Sequence, residues 1–258
     1  MGSASREALA AARATLDSGL HATSGEELLA AAAQIGSTPA LLAALADSSA
    51  DATIKQQLID RLFADASSEA RKVLTAAVSQ TWSSPDELVD GIEELGLRAE
   101  AFSEKNLADE LLAAAGTIDS SHELELGLGS KLGDSAAKVA LVQRLFDKKL
   151  SRGAVNVVRH LVAHPRGRRL SVALRESAKV AADQGGNMLA TVTVASPLTD
   201  AQQTRISALL EKSAGRPVRV TTVVDPSLVG GVRIQIGDDV IDGSVSSRLD
   251  DLRLQLAG

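Results

Sequence analysis

Residues 27–63 and 110–146 align without a gap at a shift of 83, and sixteen of the 37 positions are identical. Glu27 matches Glu110, Ile35 matches Ile118, Lys55 matches Lys138, and Arg61-Leu62-Phe63 matches Arg144-Leu145-Phe146. Only three phenylalanines exist in the chain, and two of them are repeat partners. Similarity at one fixed offset is the mark of a duplicated structural unit. Chance likeness between Ala/Leu-rich helices would not hold a single register. The fold is therefore constrained by what one copy can form and pack twice.

One copy reads as three helices, apolar at helical spacing. In the first copy they cover about 25–36, 38–47 and 52–64. Asp51, and Asp134 in the second copy, are expected N-caps of the third helix. Two more helical stretches follow each copy. After the first these are about 66–82 and 85–101, broken at Ser83-Ser84-Pro85; after the second, about 151–164 and 167–184, broken at His164-Pro165. The first residues form an amphipathic helix with Leu9 and Leu16 on one face. Aromatic residues are only 2% of a chain that is 45% hydrophobic, so the core must be Ala, Leu and Val, which suits closely packed helices. Cysteine is absent, which excludes disulfides, a thiolate metal site and a cysteine nucleophile. No run approaches a transmembrane span, and the start lacks the apolar core of a signal peptide. Membrane contact is expected only through partners.

Beyond Gln184-Gly185-Gly186-Asn187 the period changes to two. A strand is expected at 189–195, a helix at 199–214 with Leu209 and Leu210 on its apolar side, and a strand in which Val218, Val220 and Thr222 alternate with Arg219, Thr221 and Val223. Asp225-Pro226-Ser227 is a turn. Gly230-Gly231 signals positive φ, a bulge or close backbone approach. Val232, Ile234 and Ile236 then share one strand face. Turns follow at Gly237-Asp238-Asp239 and Asp242-Gly243. Ser244, Ser246 or Ser247 is the expected cap of a last helix whose Leu249, Leu252 and Leu256 share a face. The expected fold class is α+β: mainly α-helical N-terminal bundles followed by a small β-α-β-β-α C-terminal domain. The expected boundaries are 1–104, 105–186 and 187–258.

No catalytic, cofactor or metal site is expected. His160 and His164 lie four apart on a predicted helix, but Leu161-Val162-Ala163 stand between them where a zincin has Glu, and no third ligand is evident. They read as partly exposed histidines near a helix end. The Gly127–Asp134 stretch lacks the phosphate-loop spacing and follows no strand, so it reads as an interhelical turn. The basic stretch Arg159–Arg175 has no interleaved aromatics for stacking on nucleic acid, and the whole chain carries a net charge of −6.

The run from Val223 through Gly230-Gly231 to Ile236, then Asp242-Gly243-Ser244 and Leu249, resembles the C-terminal region of the δ subunit of F-type ATP synthases (OSCP in mitochondria). That family has one helical bundle before this region. Here 258 − 83 = 175 residues remain when one repeat is removed, close to the ordinary family size. The extra length reads as a second helical module inserted by duplication, in the manner of a long actinobacterial form. The resemblance implies a non-catalytic stator subunit on the cytoplasmic face of a bacterial plasma membrane. Its helical part would bind the α subunits, with β beside them, of the catalytic head; its C-terminal domain would bind the peripheral-stalk b subunits. Leu9, Leu16, Leu88, Ile92 and Leu95 are candidates for the head-binding groove, which would take an amphipathic helix. Val232, Ile234, Ile236, Leu249 and Leu252 are candidates for the b contact. Asp225, Pro226, Gly230, Gly231, Asp242, Gly243 and Ser244 form the structural motif between strands. Two alternatives stand beside this: a helical-repeat adaptor unrelated to the synthase, and a nucleic-acid-binding regulator using the basic second bundle.

The two copies diverge in charge. Residues 64–99 hold three basic and seven acidic side chains, net −4; residues 147–182 hold nine basic and two acidic, net +7. Either the bundles face different partners or they pack on each other through opposite charge. Neutralising Arg166, Arg168, Arg169 and Arg175 together is expected to weaken assembly of the complex. Unchanged assembly at moderate salt, read by co-sedimentation, would count against this.

Overall fold

The computed structural model describes residues 1–18, 25–129, 134–226, 228, 230–236 and 239–243. The chain divides into two compact units, Met1–Ala181 and Ala182–Gly258. Both helical copies lie in the first.

The helical unit begins with α1 (Ser3–Asp17), then α2 (Gly25–Ser37), α3 (Pro39–Ala46), α4 (Ala52–Leu62), α5 (Ser68–Val78) and α6 (Pro85–Ser103). The second copy supplies α7 (Leu107–Asp119), α8 (His122–Gly129), α9 (Ser135–Phe146), α10 (Arg152–Ala163) and α11 (Leu170–Gln184). So the repeat is five helices long, α2–α6 against α7–α11. Its caps follow from the sequence. Asp51 accepts from the Thr53 N–H and Asp134 from the Ala136 N–H, each closing the first turn of the third helix. Ser67 and Ser151 cap α5 and α10. Each cap also donates its hydroxyl, at 2.5 Å, to a glutamate of the copy's first helix: Ser67 to Glu27 and Ser151 to Glu110. These glutamates are repeat partners at a shift of 83, whereas the serines are 84 apart. One residue has been added before α10 without breaking the bond.

The core of the first bundle is aliphatic, as the composition requires. Leu16, Leu28, Ile35, Leu45, Ile59, Leu74, Leu88, Ile92 and Leu95 are fully buried. Lys55 is buried too; its ammonium donates to the Val78 carbonyl at 2.9 Å, where a cation favours the C-terminal end of α5. The single tryptophan, Trp82, donates its indole N–H to the Ala77 carbonyl and lies across Gly91, where an added Cβ would meet the ring at 2.1 Å.

Helix α6 is unusual in being buried nearly all round. Leu88, Ile92 and Leu95 face the first core, while Glu93, Arg98 and Glu100 are also buried. It packs against α1, against α2, α3 and α5 of its own copy, and against α7 and α10 of the other. Its approach to α2 is close because glycines line both helices: Gly96 sits on Leu29, and Gly25 sits on Glu100 and the Gly96 carbonyl. A helix hydrophobic or buried on every side is a central one, and α6 is the spine shared by both copies.

The C-terminal unit is built from β1 (Met188–Val194), α12 (Asp200–Ala214), β2 (Val218–Val224), β3 (Val232–Ile236) and β4 (Asp239–Asp242). The sheet order is β2-β1-β3-β4, with β1 and β2 parallel and the other pairs antiparallel. A crossover helix is what a parallel pair needs; α12 supplies it, opened by a Thr199–Gln202 capping box and closed by Gly215 in the left-handed region. Gly230 and Gly231 do adopt positive φ, 151° and 83°, where the chain enters β3. The three expected strands are joined by a short fourth, β4, which pairs with β3 after the turn expected at 237–239. The expected terminal helix lies outside the described residues. No single helix among the described residues is long and apolar enough to cross a membrane.

The tight α2–α6 contact gives a test. Gly25→Ala would set a Cβ 2.6 Å from the Gly96 carbonyl oxygen, a backbone atom that cannot swing away. The substitution should lower stability by about 1–3 kcal/mol through overpacking, despite the ~1 kcal/mol gain in helix propensity. The urea midpoint of the purified chain measures this.

Candidate functional site

The seam between the two helical copies concentrates the charged groups of this unit. On one side stand Glu26 of α2 and Asp90, Glu93 and Glu100 of α6. On the other stand Arg152, Asn156 and His160 of α10 and Arg166 and Arg168 of the α10–α11 connection. Opposite charges therefore pack the copies on each other, the second of the two readings of the charge divergence.

Glu93 is the centre. Its carboxylate receives a hydrogen bond from His160 Nε2 at 3.1 Å and one from Arg168 at 2.8 Å. The Glu93 and His160 side chains are only 5% and 7% exposed. His160 is partly exposed as a residue, as expected from the sequence, but its side chain is covered and partners a carboxylate on the other copy. Burial alone would push the Glu93 carboxyl up, but the His160 bond and the Arg168 charge overcome it and hold the group below the usual carboxylate range. His164, one turn on, has its ring 5.3 Å from that of His160. Burial, then the neighbouring His160, pushes His164 below the ordinary histidine value.

The rest of the seam is graded outward. Arg166 pairs with Asp90 at 2.6 Å and donates to the Asp86 carbonyl. Its φ is +46°, followed by Gly167 at +78°, a bend that turns both arginines back onto α6. Arg152 reaches Glu26 at 3.0 Å in an exposed pair. Between these, Asn156 donates to Glu26 and Glu100, both at 3.4 Å. Glu100 is held above its ordinary value first by burial, which the Asn156 bond eases and the nearby Glu26 and Glu104 reinforce. Gly153 lets α10 approach here; a Cβ would lie 2.7 Å from a Glu100 carboxylate oxygen. Arg169 and Arg175 pair inside the second copy, with Glu125 at 2.8 Å and Asp119 at 2.5 Å.

Of the head-groove candidates, Leu16, Leu88, Ile92 and Leu95 have no exposed surface and form the inside of the first bundle. Leu9 is partly buried against them. In the C-terminal unit Val232, Ile234 and Ile236 pack against a core of Ala190, Val192, Val194, Leu210 and Val218. Val240 and Ile241 on β4, not singled out from the sequence, are the exposed apolar residues beside them, at 49% and 57%. The Gly243 N–H closes the motif by donating to the Val232 carbonyl at 2.9 Å. Asp225 bonds the Val194 carbonyl through its N–H and precedes exposed Pro226. Ser244, Leu249 and Leu252 lie outside the described residues. Among the described residues no group of three or more His, Asp or Glu could hold a metal ion.

Comparison with known proteins gives a consistent family. The family model described as ATP synthase delta (OSCP) subunit matches residues 97–256, from the last turns of α6 onward. The protein called ATP synthase subunit delta in Leifsonia xyli subsp. xyli is 46% identical over 264 residues, covering all of both chains. Those of the same name in Streptomyces coelicolor and Nocardia farcinica are each 37% identical, over 100% and 99% of this chain and 98% and 97% of their own. A chain in the structure of the Toxoplasma gondii mitochondrial ATP synthase hexamer overlays on 63% of this chain and 96% of its own, at 22% identity and a TM-score of 0.41.

Within the seam, His164 makes its own contribution to stability depend on pH with a defined sign. The unfolded chain protonates His164 near pH 6.5, where the folded chain resists it, so that this contribution is complete above this pH and lost as pH falls through it, while the raised Glu100 and Asp90 carboxyls act in the opposite direction. Glu93, held low, adds a loss at still lower pH. Between pH 7.5 and 5.5 the urea midpoint of the chain should fall relative to that of His164→Gln. Glu93→Gln should cost about 1–3 kcal/mol at pH 7.5 by weakening a charged hydrogen-bond pair.

Proposed function

The chain belongs to the ATP synthase delta (OSCP) subunit family, and from that premise we propose that its two units are the two ends of one stator link. It is a non-catalytic subunit of a membrane-associated, proton-transporting ATP synthase, and its family role is in the peripheral stalk. The helical unit docks on the catalytic head through N-terminal segments of α subunits, with β beside them. The C-terminal unit holds the b subunits. The link opposes rotation of the head with the rotor during ATP synthesis, on the cytoplasmic face of a bacterial plasma membrane.

The observation that carries this reading is the pairing, in one chain, of two compact units with separate cores and different architecture. Joining two docking modules raises the effective concentration at each site once the other is bound, which suits a tether under load. At the head end, Leu9 supplies surface beside α1, and Leu16, Leu88, Ile92 and Leu95 support that wall from within. At the stalk end, Val232, Ile234 and Ile236 fix β3, Val240 and Ile241 add exposed apolar surface, and Leu249 and Leu252 complete the contact. We further infer that the first copy is the added one, since the family model spans the second copy and the C-terminal unit. The nucleic-acid alternative loses its main support. Arg166, Arg168, Arg169 and Arg175 are all engaged with acidic side chains of this chain.

The test mixes tagged full-length chain with the purified catalytic head and with the soluble part of b from the same synthase. Both should be captured together in one complex. Ile241→Asp should weaken capture of b about tenfold, the effect of damaging a contact residue, and leave capture of the head unchanged. Capture of neither overturns the reading.

A further inference from the structure

Five arginines lie in the basic stretch from 159 to 175, and four of them end on acids of this chain: Arg166 on Asp90, Arg168 on Glu93, Arg169 on Glu125 and Arg175 on Asp119. Arg159 has no such acid among the described residues. Its Nε is buried and meets no hydrogen-bond acceptor. Buried donors are ordinarily satisfied, and a guanidinium stays charged whatever surrounds it.

Beside Arg159 there is space. Where α2 crosses α10, a cavity of about 180 Å³ opens between the two copies. Leu29, Ala30 and Ala33 of α2, Val139 of α9 and Ala163 of α10 give it an apolar lining. Its polar groups are unequal. Glu26 is engaged by Arg152 at 3.0 Å and by Asn156 at 3.4 Å, and His160 by Glu93 at 3.1 Å. The Arg159 guanidinium is left to be matched, with the His164 ring also in the lining. A cleft of this kind selects a ligand that has both parts: an oxyanion for the guanidinium and a short hydrocarbon body for the alanines and Leu29. The size agrees, since an engineered cavity of about 150 Å³ takes benzene. Water is the competing occupant of a void with polar walls.

We propose that this cleft between the copies binds a small aliphatic monocarboxylate, its carboxylate on the Arg159 guanidinium and its tail against Leu29, Ala30 and Ala33. Because both copies line the cleft, the ligand binds only where they are packed together, and it stabilises the seam by mass action. The site is independent of the stator reading.

Titration of the full-length chain with sodium butyrate at constant ionic strength, followed by NMR at the Arg159 Nε–H and the His164 ring, tests this. Both signals should shift saturably, with a dissociation constant on the order of 1–10 mM. 1-Butanol, which has the tail without the charge, should give no saturable shift. Inorganic phosphate, which has the charge without the tail, should bind more weakly than butyrate. Arg159→Met should weaken butyrate binding at least tenfold, the loss of a charged hydrogen bond, and Arg159→Lys should fall between. Circular dichroism checks that both variants fold, and the comparison of butyrate with 1-butanol on the unchanged chain decides the matter if they do not. No saturable shift with butyrate leaves water as the occupant and overturns the proposal. Butyrate binding unchanged in folded Arg159→Met, or phosphate binding tighter than butyrate, overturns it as well.

Discussion

The helical unit depends on a buried carboxylate. Glu93 lies on the helix most deeply packed in the molecule and cannot be left there alone, because an isolated ion loses far more solvation than packing restores. His160 and Arg168 come to it from the other copy. Their arrival requires α10 to cross the α2–α6 face and the following connection to bend back at Arg166-Gly167. One group's need for partners thus fixes the mutual placement of the two copies. Such a pair adds little net stability over a well-packed apolar contact, but breaking it leaves a buried charge unpaired. It gives the seam a single register.

The duplication explains how a chain almost without aromatics builds so large a helical unit. Each copy has the same five helices and the same serine-to-glutamate bond. Each had to solve the same packing problem with Ala, Leu and Val. Glycines do the rest: at Gly25, Gly96 and Gly153 the missing Cβ lets helices approach where larger residues would collide. Where the copies meet, single replacements serve the contact. Helix α5 and helix α10 bury equivalent faces, Ala70, Val73, Leu74, Ala77 and Val78 against Ala154, Val157, Val158, Leu161 and Val162. Asn156 and His160, which replace Lys72 and Ala76 one residue out of the original register, serve the seam.

The C-terminal unit follows different rules. Its mixed sheet is organised by β1, which takes β2 in parallel through α12 and β3 in antiparallel through the glycine turn. The positive φ values at Gly230 and Gly231 turn the chain into β3. A stator subunit has no bonds to make, so what matters in either unit is a rigid surface at a fixed place.

Much of this was legible in the sequence. The helix boundaries, the Asp51 and Asp134 caps and the positive-φ glycines follow from local signals, because capping, periodicity and backbone freedom are properties of a few adjacent residues. The repeat and the family came from order along the chain. The charge divergence was visible too, but its meaning was not: whether nine bases face a partner or the neighbouring copy depends on contacts between residues such as 93 and 160. The same limit hid the pairing of His160 with Glu93. It also left Leu16, Leu88, Ile92 and Leu95 as an open groove, since a helical stripe looks alike whether another helix of the chain or a partner covers it. Sequence determined which elements form and what they resemble. Only the tertiary structure decided which faces were already taken, because burial arises from residues distant in the chain.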